Sequence, residues 1–246
     1  MPLRAALFDV GDTLVEHWVP RDVYQDMTRQ RLVDALGEHD WIEALLDSDL
    51  EPAELKGGWP FVPARAKQET LRWYERWFRG RGIDPDGLDL ERIRALGALP
   101  LEEVSSPVPG AFEAVRWCAA RGLRVVLVTN TLQRGDEEVL EDWRRFGLED
   151  AIHGVVSSHS AGWRNPHPAI FERALDIAGA RPEQAFHVGD NLVADVWGAK
   201  QLGIRAVWRR VAEVEQPPVD VAPDAVVSDL TELPRVVLPW LEEEAA

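Results

Sequence analysis

Short apolar runs alternate with helical patterns along most of this chain, and this alternation limits the possible folds more than any other feature. The runs that have the length and composition of buried strands are Leu3–Phe8, Arg124–Val128, Gly154–Val156, Ala185–Val188, Arg205–Trp208 and Ala225–Val227. Helical spacing of apolar residues predicts helices over Ala111–Ala120, Pro168–Ala178 and Val193–Leu202, each followed closely by a glycine. Strands that alternate with helices predict an α/β fold with a parallel sheet and helices on both faces.

The stretch from Glu16 to Ser106 departs from this alternation because it contains no convincing strand. Its helical patterns cover Arg21–Leu36, Trp41–Leu50, Arg65–Arg79 and Leu88–Leu99. We therefore predict two domains. Residues 1–15 and 107–246 form the α/β core, and residues 16–106 form an inserted all-helical domain.

Composition and charge exclude several classes of function. The formal net charge is −16 and no block of basic residues is present, so a nucleic-acid partner is not expected. No apolar stretch approaches a membrane span, and the N-terminal apolar run is too short for a signal peptide. The single cysteine, Cys118, cannot form an intramolecular disulfide, and its apolar neighbours predict a buried hydrophobe. We expect a cytoplasmic protein that is a monomer or a homodimer.

Polar residues follow three of the predicted strands. Asp9 and Thr129 come directly after apolar runs, and Asp190 follows a third run, with Asp195 five residues later. Ligands bind at the carboxyl ends of parallel strands, so we expect these residues to converge. Asp9 has the position of an oxygen nucleophile, and the later aspartates suit a hard cation such as Mg²⁺. Each segment also has a plainer explanation, since aspartates form turns and cap helices.

The same segments, in the same order, resemble the motifs of the haloacid dehalogenase superfamily of phosphohydrolases. They are FDVGDTLV, VVLVTN, GWRNPHPAIF and HVGDNLVADVWGAK. The resemblance extends over nearly the whole chain and is densest from Ile152 to Trp208. It implies a Rossmann-like core, and it implies that the helical stretch from Glu16 to Ser106 is a type I cap that closes over the site.

Two positions depart from the pattern of the family's phosphatases. They carry a second Asp two residues after the nucleophile, which protonates the leaving group, but here that residue is Gly11. Asp12 lies one residue further, where we expect its side chain to point elsewhere. The third motif usually supplies a Lys before proline, but here that residue is Asn165, with Arg164 beside it.

The resemblance also implies a metal site that these departures leave in place. By the family pattern, Mg²⁺ would be bound by Asp9, the backbone carbonyl of Gly11 and Asp190. Asp12 and Asp195 would support the site. The losses would be proton transfer, which contributes about 10²–10⁴ to rate, and one fixed cation opposite the developing negative charge, which Mg²⁺ and Arg164 could partly replace.

Together with these residues, the resemblance implies a magnesium-dependent phosphohydrolase that acts on a small phosphorylated metabolite through an aspartyl-phosphate intermediate. Asp9 would attack phosphorus, with Thr129 and Arg164 as further catalytic residues. Thr129, Asn130 and Asn165 would bind the substrate. Without the usual acid, we expect aryl and acyl phosphates to react and alkyl phosphates to react barely at all.

Two alternatives remain open at the level of sequence. The altered positions also fit a catalytically silent protein on the same fold, which binds Mg²⁺ and phosphate without turnover. A 2-haloacid dehalogenase shares the Asp nucleophile, but such enzymes need no metal and lack the paired aspartates Asp190 and Asp195. If the chain is an enzyme, the base that activates water would be a cap residue, Asp12 or His17.

Overall fold

An all-parallel sheet forms the centre of the computed structural model, which describes residues 2–17, 19–48, 67–131, 134–211 and 220–242. The strands are β1 (Ala5–Phe8), β2 (Val15–His17), β3 (Ser105–Pro107), β4 (Arg124–Thr129), β5 (Gly154–Ser157), β6 (Ala185–Gly189), β7 (Arg205–Arg209) and β8 (Ala225–Val227). Six of them form one sheet in the order β5–β4–β1–β6–β7–β8. The predicted α/β fold is confirmed, and each predicted sheet strand is found to within two residues.

The described helices either cover the two faces of this sheet or lie in the stretch between Glu16 and Ser106. They are α1 (Arg21–Leu36), α2 (Trp41–Leu46), α3 (Lys67–Arg79), α4 (Leu90–Leu96), α5 (Leu101–Val104), α6 (Ala111–Ala120), α7 (Asp136–Arg145), α8 (Ser158–Ala161), α9 (Pro168–Ala178), α10 (Gly198–Gln201) and α11 (Leu233–Glu242). One hydrophobic cluster joins the sheet to α6, α7 and α11, and a second joins its other face to α9 and α10. Alternate side chains of β1 enter opposite clusters, which is why its sequence is apolar throughout.

The helical stretch has a hydrophobic cluster of its own. Residues from α1, α2, α3 and α4 pack together around Leu32, Ile42 and Phe78. The predicted helix Trp41–Leu50 ends at Leu46, and Leu88–Leu99 shortens to Leu90–Leu96 because Asp89 caps the helix and Gly97 follows it. Residues 49–66, which include the predicted start of the third helix, lie outside the described residues. The division into two domains stays a prediction.

The expectation that Glu16–Ser106 contains no strand is wrong at both ends of the stretch. Strands β2 and β3 pair antiparallel there, with Glu16 opposite Ser106 and His17 opposite Ser105. Each strand is three residues long and mostly polar, so neither has a hydrophobic pattern that identifies it. The ribbon joins the two points where the chain leaves and re-enters the core.

Two further expectations concern burial and membranes. Cys118 is fully buried in α6, as predicted, and burial raises the pKa of its thiol to about 12. Among the described helices, none has both the length and the apolar character needed to cross a bilayer.

Candidate active site

Three neighbouring strands bring the predicted residues to one edge of the sheet. Strands β4, β1 and β6 lie side by side, so Thr129, Asp9 and Asp190 meet at their carboxyl ends. The backbone N–H of Asp9 donates to the carbonyl oxygen of Val188 at 2.9 Å, which fixes the end of β1 against β6. Convergence at this edge is what parallel strands of this order require.

Three carboxylates form an acidic cluster at this edge. Asp9, Asp190 and Asp195 each offer one oxygen, and these oxygens lie within 4.8 Å of one another. Asp9 is 8% exposed and Asp195 is 1% exposed, so water screens them poorly. The hydroxyl of Thr13 donates to Asp9 Oδ2 at 3.0 Å and lies 3.5 Å from Asp190 Oδ1. An all-oxygen cluster of this charge suits a hard divalent cation.

Burial and mutual repulsion disfavour ionisation in this cluster. Burial raises the pKa of Asp9 well above its usual range, and the charges of Asp195 and Asp190 raise it further. Burial, followed by the charges of Asp195 and Asp12, raises the pKa of Asp190 to about 7. The negative charges of the three carboxylates therefore repel one another, and a bound cation would reduce this repulsion.

Asp195 is held from three sides. Asn165 Nδ2 donates to its Oδ1 at 2.8 Å, His187 Nε2 lies 3.1 Å from the same oxygen, and the N–H of Asn191 donates to Oδ2 at 3.0 Å. Gly189 is required here because a Cβ at this position would lie 2.2 Å from the Asp195 carboxyl carbon. Asp195 is thus oriented by these neighbours.

The helix predicted from Val193 to Leu202 takes a different form. The chain makes a π-helical turn over Leu192–Trp197 and only then continues as α10. The side-chain oxygen of Asn191 accepts from the N–H groups of both Val193 and Ala194, which sets the start of this turn. Asn191 is therefore the residue that caps this helical turn, whereas Asp195 belongs to the acidic cluster.

The loop after β1 places Gly11 and Asp12 beside the cluster. Asp12 has a φ of 53°, which non-glycine residues rarely adopt, and its carbonyl oxygen accepts a hydrogen bond from Arg209. Arg209 is buried at the end of β7 and also pairs with Glu16 at 2.6 Å. Asp12 borders the site's cavity, and its charge helps to raise the pKa of Asp190. The expectation that its side chain points away from the position of the usual acid stays a prediction.

The loop before α9 brings Arg164 and Asn165 to the same cavity. Asn165 is 1% exposed, and Arg164 is half-buried. Asn130 bonds to the backbone of Asn165 through both ends of its amide, at 3.1 and 3.4 Å. Asn130 therefore ties the loop after β4 to the loop before α9, a positioning role that the sequence does not suggest.

A cavity of about 420 Å³ lies above the cluster. Its lining includes every predicted site residue: Asp9, Gly11, Asp12, Thr129, Asn130, Arg164, Asn165, Asp190 and Asp195. The helical stretch contributes Tyr24 and Leu99, so the cavity lies between it and the sheet. His17, named from the sequence as a possible base, is also in the lining.

Several lining residues escape prediction from the sequence. Arg134 follows a strand end by five residues and pairs with Asp142 of α7 at 2.5 Å, which no spacing rule indicates. Tyr24 lies on α1, where its hydroxyl donates to the Gly97 carbonyl at 3.1 Å. Arg209 does not line the cavity but bonds to the Asp12 carbonyl, and the sequence could have indicated it, because it is a charged residue that ends a buried parallel strand.

Comparisons with known proteins all point to one family. A family model described as haloacid dehalogenase-like hydrolase matches residues 3–203. The chain is 32% identical to a phosphoserine phosphatase of Thermus thermophilus over 250 residues, which covers 94% of this chain and 98% of that protein.

Other matches cover less or show the fold alone. The chain is 36% identical to haloacid dehalogenase-like hydrolase domain-containing protein 3 of Xenopus laevis over 134 residues, which is 52% of each. It thus spans about half the length of the first curated relatives it matches, with 52% and 54% of those proteins covered. The crystal structure of a HAD phosphatase from Thermococcus onnurineus superposes with a TM-score of 0.58 at 20% identity, covering 96% of this chain and 98% of that one.

Proposed function

Because this chain belongs to the haloacid dehalogenase-like hydrolase family, we propose that it is a magnesium-dependent phosphohydrolase that forms an aspartyl-phosphate on Asp9. The observation that carries the proposal is the acidic cluster of Asp9, Asp190 and Asp195 at the base of a cavity of about 420 Å³. The cavity volume suits a small phosphorylated metabolite.

The donor set fits Mg²⁺. Asp9 and Asp190 offer carboxylate oxygens, Gly11 borders the same cavity, and Asp195 lies within the cluster. We assign Asp9, Gly11 and Asp190 as the residues that hold the metal. When bound, Mg²⁺ supplies positive charge that lowers the pKa of the carboxylates and offsets charge on the phosphoryl oxygens.

Asp9 is the nucleophile in the first step. One of its carboxylate oxygens attacks phosphorus, the bond from phosphorus to the leaving oxygen breaks, and the leaving oxygen takes the electron pair. The hydrogen bond from Thr13 holds Oδ2, so the orientation of the carboxylate is fixed before reaction. Thr129, Arg164 and Asn165 line the cavity, where a hydroxyl, a guanidinium and an amide N–H can meet phosphoryl oxygens.

No side chain at position 11 donates a proton to the leaving oxygen. Gly11 lies two residues after the nucleophile, so the leaving group must depart as an anion or take its proton from water. Phenols and carboxylic acids tolerate this because their anions are stable, whereas alkoxides do not. We therefore propose that aryl and acyl phosphates are turned over much faster than alkyl phosphates.

In the second step water attacks the phosphorus of the aspartyl-phosphate, the bond to Asp9 breaks, and phosphate leaves. Asp12 and His17 both line the cavity and are the described candidates for accepting the proton of that water. With the usual acid–base residue replaced by Gly11, we expect this step to be the slower one for good leaving groups.

The helical stretch between Glu16 and Ser106 is proposed as the cap that selects the substrate. It borders the cavity through Tyr24 and Leu99, and Leu101 and Val104 add an apolar wall where the chain returns to the core. The leaving group would lie against these residues.

A phosphate-release screen with Mg²⁺ over aryl, acyl and alkyl phosphates tests the proposal, run beside Asp9→Asn. We expect release from the first two classes and its loss in Asp9→Asn. Equal rates on alkyl and aryl phosphates would show that a general acid is present. Absence of release from every class, with Mg²⁺ binding intact, would favour the catalytically silent alternative that Gly11 and Asn165 also suggest.

A further inference from the structure

A buried arginine at the end of β7 bonds to the loop that follows β1. The side chain of Arg209 is 7% exposed. One terminal nitrogen of its guanidinium donates to the backbone carbonyl of Asp12, and the other pairs with Glu16 Oε1 at 2.6 Å. Strand β6 lies between β7 and β1 in the sheet, so the guanidinium reaches across the carboxyl end of β6 to make these two bonds.

The loop that Arg209 contacts has an unfavourable backbone conformation at Asp12. Its φ of 53° lies in the left-handed region, which costs energy for a residue with a Cβ. The N–H of Asp12 donates to the Val15 carbonyl at 2.8 Å, and its own carbonyl accepts from Arg209. Hydrogen bonds on both sides of the residue therefore hold this turn.

The turn at Asp12 also determines where the Gly11 carbonyl points. The Gly11 carbonyl and the Asp12 N–H belong to one peptide unit, which is planar and trans, so the two groups point in opposite directions. Because the Asp12 N–H is directed at Val15, the direction of the Gly11 carbonyl is fixed as well. A change of backbone conformation at Asp12 would turn this peptide unit.

The residue before Arg209 holds the second loop of the site. Trp208 Nε1 donates to the backbone carbonyl of Asp190 at 2.8 Å. Two successive residues of β7 thus hold the loops that carry Gly11 and Asp190. Stability alone explains the pair of Arg209 and Glu16 poorly, because the Glu16 side chain is 49% exposed and such pairs contribute little.

We propose that Arg209 is a positioning residue of the metal site, which holds the turn at Asp12 and thereby keeps the Gly11 carbonyl in one orientation for Mg²⁺. The inference rests on the proposed assignment of Asp9, Gly11 and Asp190 as the metal ligands. Without the bond from Arg209, the turn at Asp12 relaxes and the peptide of Gly11 turns with it. The two carboxylates would then hold Mg²⁺ with one fixed oxygen fewer.

Calorimetric titration with Mg²⁺ at pH 8 tests this role without any substrate. We expect Arg209→Met to weaken Mg²⁺ binding by about 10–100-fold, the usual effect of losing a group that orients metal ligands. Glu16→Gln removes the charge pair but leaves the bond to Asp12, so it should bind Mg²⁺ as the wild type does. Arg235→Met, at an exposed arginine paired with Glu232, is the matched control and should also bind normally.

A second background separates positioning from general stability. Asp12→Gly lets the left-handed turn form without the steric cost, so the loop depends less on Arg209. Arg209→Met should therefore weaken Mg²⁺ binding by a smaller factor in Asp12→Gly than in the wild type. Equal factors in the two backgrounds would show that Arg209 acts through its charge or through overall stability, and would overturn the proposal.

A crystal structure of the Mg²⁺-bound wild type keeps the inference testable if Arg209→Met fails to fold. The Gly11 carbonyl should lie about 2.1 Å from the ion, with Arg209 still bonded to Asp12. A Gly11 carbonyl outside the coordination shell would overturn the inference. Equal Mg²⁺ affinity in wild type and Arg209→Met would overturn this inference alone and leave the proposed function standing, whereas a wild type that binds no Mg²⁺ would overturn both.

Discussion

At the scale of single residues, position 11 controls how the leaving group departs. A Cβ built on Gly11 meets no atom within 4 Å, and its backbone is not in the left-handed region, so an aspartate fits there. We expect Gly11→Asp to raise kcat/KM for an alkyl phosphate by up to about 10²–10⁴, the range of general acid catalysis. The value for an acyl phosphate should change little, because its leaving group needs no proton.

Gly11→Ala is the matched control, since it adds the Cβ without a carboxylate. It should leave the ratio of alkyl to acyl rates unchanged. An increase with alanine equal to that with aspartate would assign the effect to loop rigidity and would contradict the role given to position 11.

Asp190 links metal binding to stability and pH. Its pKa is raised to about 7 from the ordinary aspartate value of about 4, so between these pH values the metal-free folded state holds a proton that the unfolded state has lost. Its contribution to stability is present below about pH 4 and is lost as pH rises through about 7. Mg²⁺ removes this penalty, so we expect the Tm gain from Mg²⁺ to be larger at pH 8 than at pH 5.

Asp190→Asn tests the same link between Mg²⁺ binding, pH and stability by removing the charge of Asp190. Without Mg²⁺ at pH 8 it should raise Tm by about 2–4 °C, and it should abolish the Mg²⁺-dependent gain. Asp150→Asn, on an exposed aspartate, is the control and should keep the wild-type response. A Mg²⁺ gain that is equal at both pH values would contradict the account of Asp190.

At the scale of elements, the junction from β6 to the π-helical turn depends on one glycine. A Cβ at Gly189 would overlap the Asp195 carboxyl group, with 2.2 Å to its carbon. Gly189→Ala must therefore displace Asp195, and we expect a loss of about 10–100-fold in Mg²⁺ affinity, measured by calorimetric titration. Gly87→Ala, where a Cβ meets nothing within 4 Å, should bind Mg²⁺ as the wild type does.

The sheet strands and the convergence of Asp9, Thr129 and Asp190 are predictable because they rest on hydrophobic runs and on strand direction. A run of apolar residues marks each strand, and the carboxyl ends of parallel strands lie at one edge of the sheet irrespective of loop length and conformation. The β2–β3 ribbon and the π-helical turn are not predictable in this way. The ribbon depends on pairing between two segments that are distant in sequence, and the turn depends on two hydrogen bonds to the side chain of Asn191. The spacing of hydrophobic residues indicates neither.

The same limit applies to the cavity wall. Arg134 and Tyr24 reach the site through Asp142 and Gly97, contacts that link segments distant in sequence. Sequence spacing places residues within one element or at one sheet edge, but it does not indicate which loop packs on which helix. Functional residues held by such contacts are found only once the fold is known.

At the scale of the whole molecule, helix α7 joins the helical stretch to the core. Arg134 pairs with Asp142 and donates to the Leu99 carbonyl at 2.5 Å, while Asp142 accepts from the Leu101 N–H at 3.1 Å. Arg94 of α4 is buried and pairs with Glu138 of α7. These contacts fix the segment through which the chain returns from the helical stretch to the sheet.

Arg134→Met should destabilise the protein by about 3–5 kcal/mol, because Asp142 would keep a buried charge without its partner. Chemical denaturation monitored by tryptophan fluorescence measures the change. The double variant Arg134→Met with Asp142→Leu should recover part of the loss, but not all, since the Leu101 N–H loses its acceptor. A single variant as stable as the wild type would show that this pair does not hold the junction.

The central claim is that Asp9 carries the phosphoryl group, and rapid-quench mass spectrometry tests it most directly. With Mg²⁺ and 4-nitrophenyl phosphate, we predict a burst of nitrophenol and a phosphoryl group on Asp9, because the second step lacks its usual base. Asp9→Asn should show neither. A phosphoryl group on another residue, or a burst that persists in Asp9→Asn, would contradict the account.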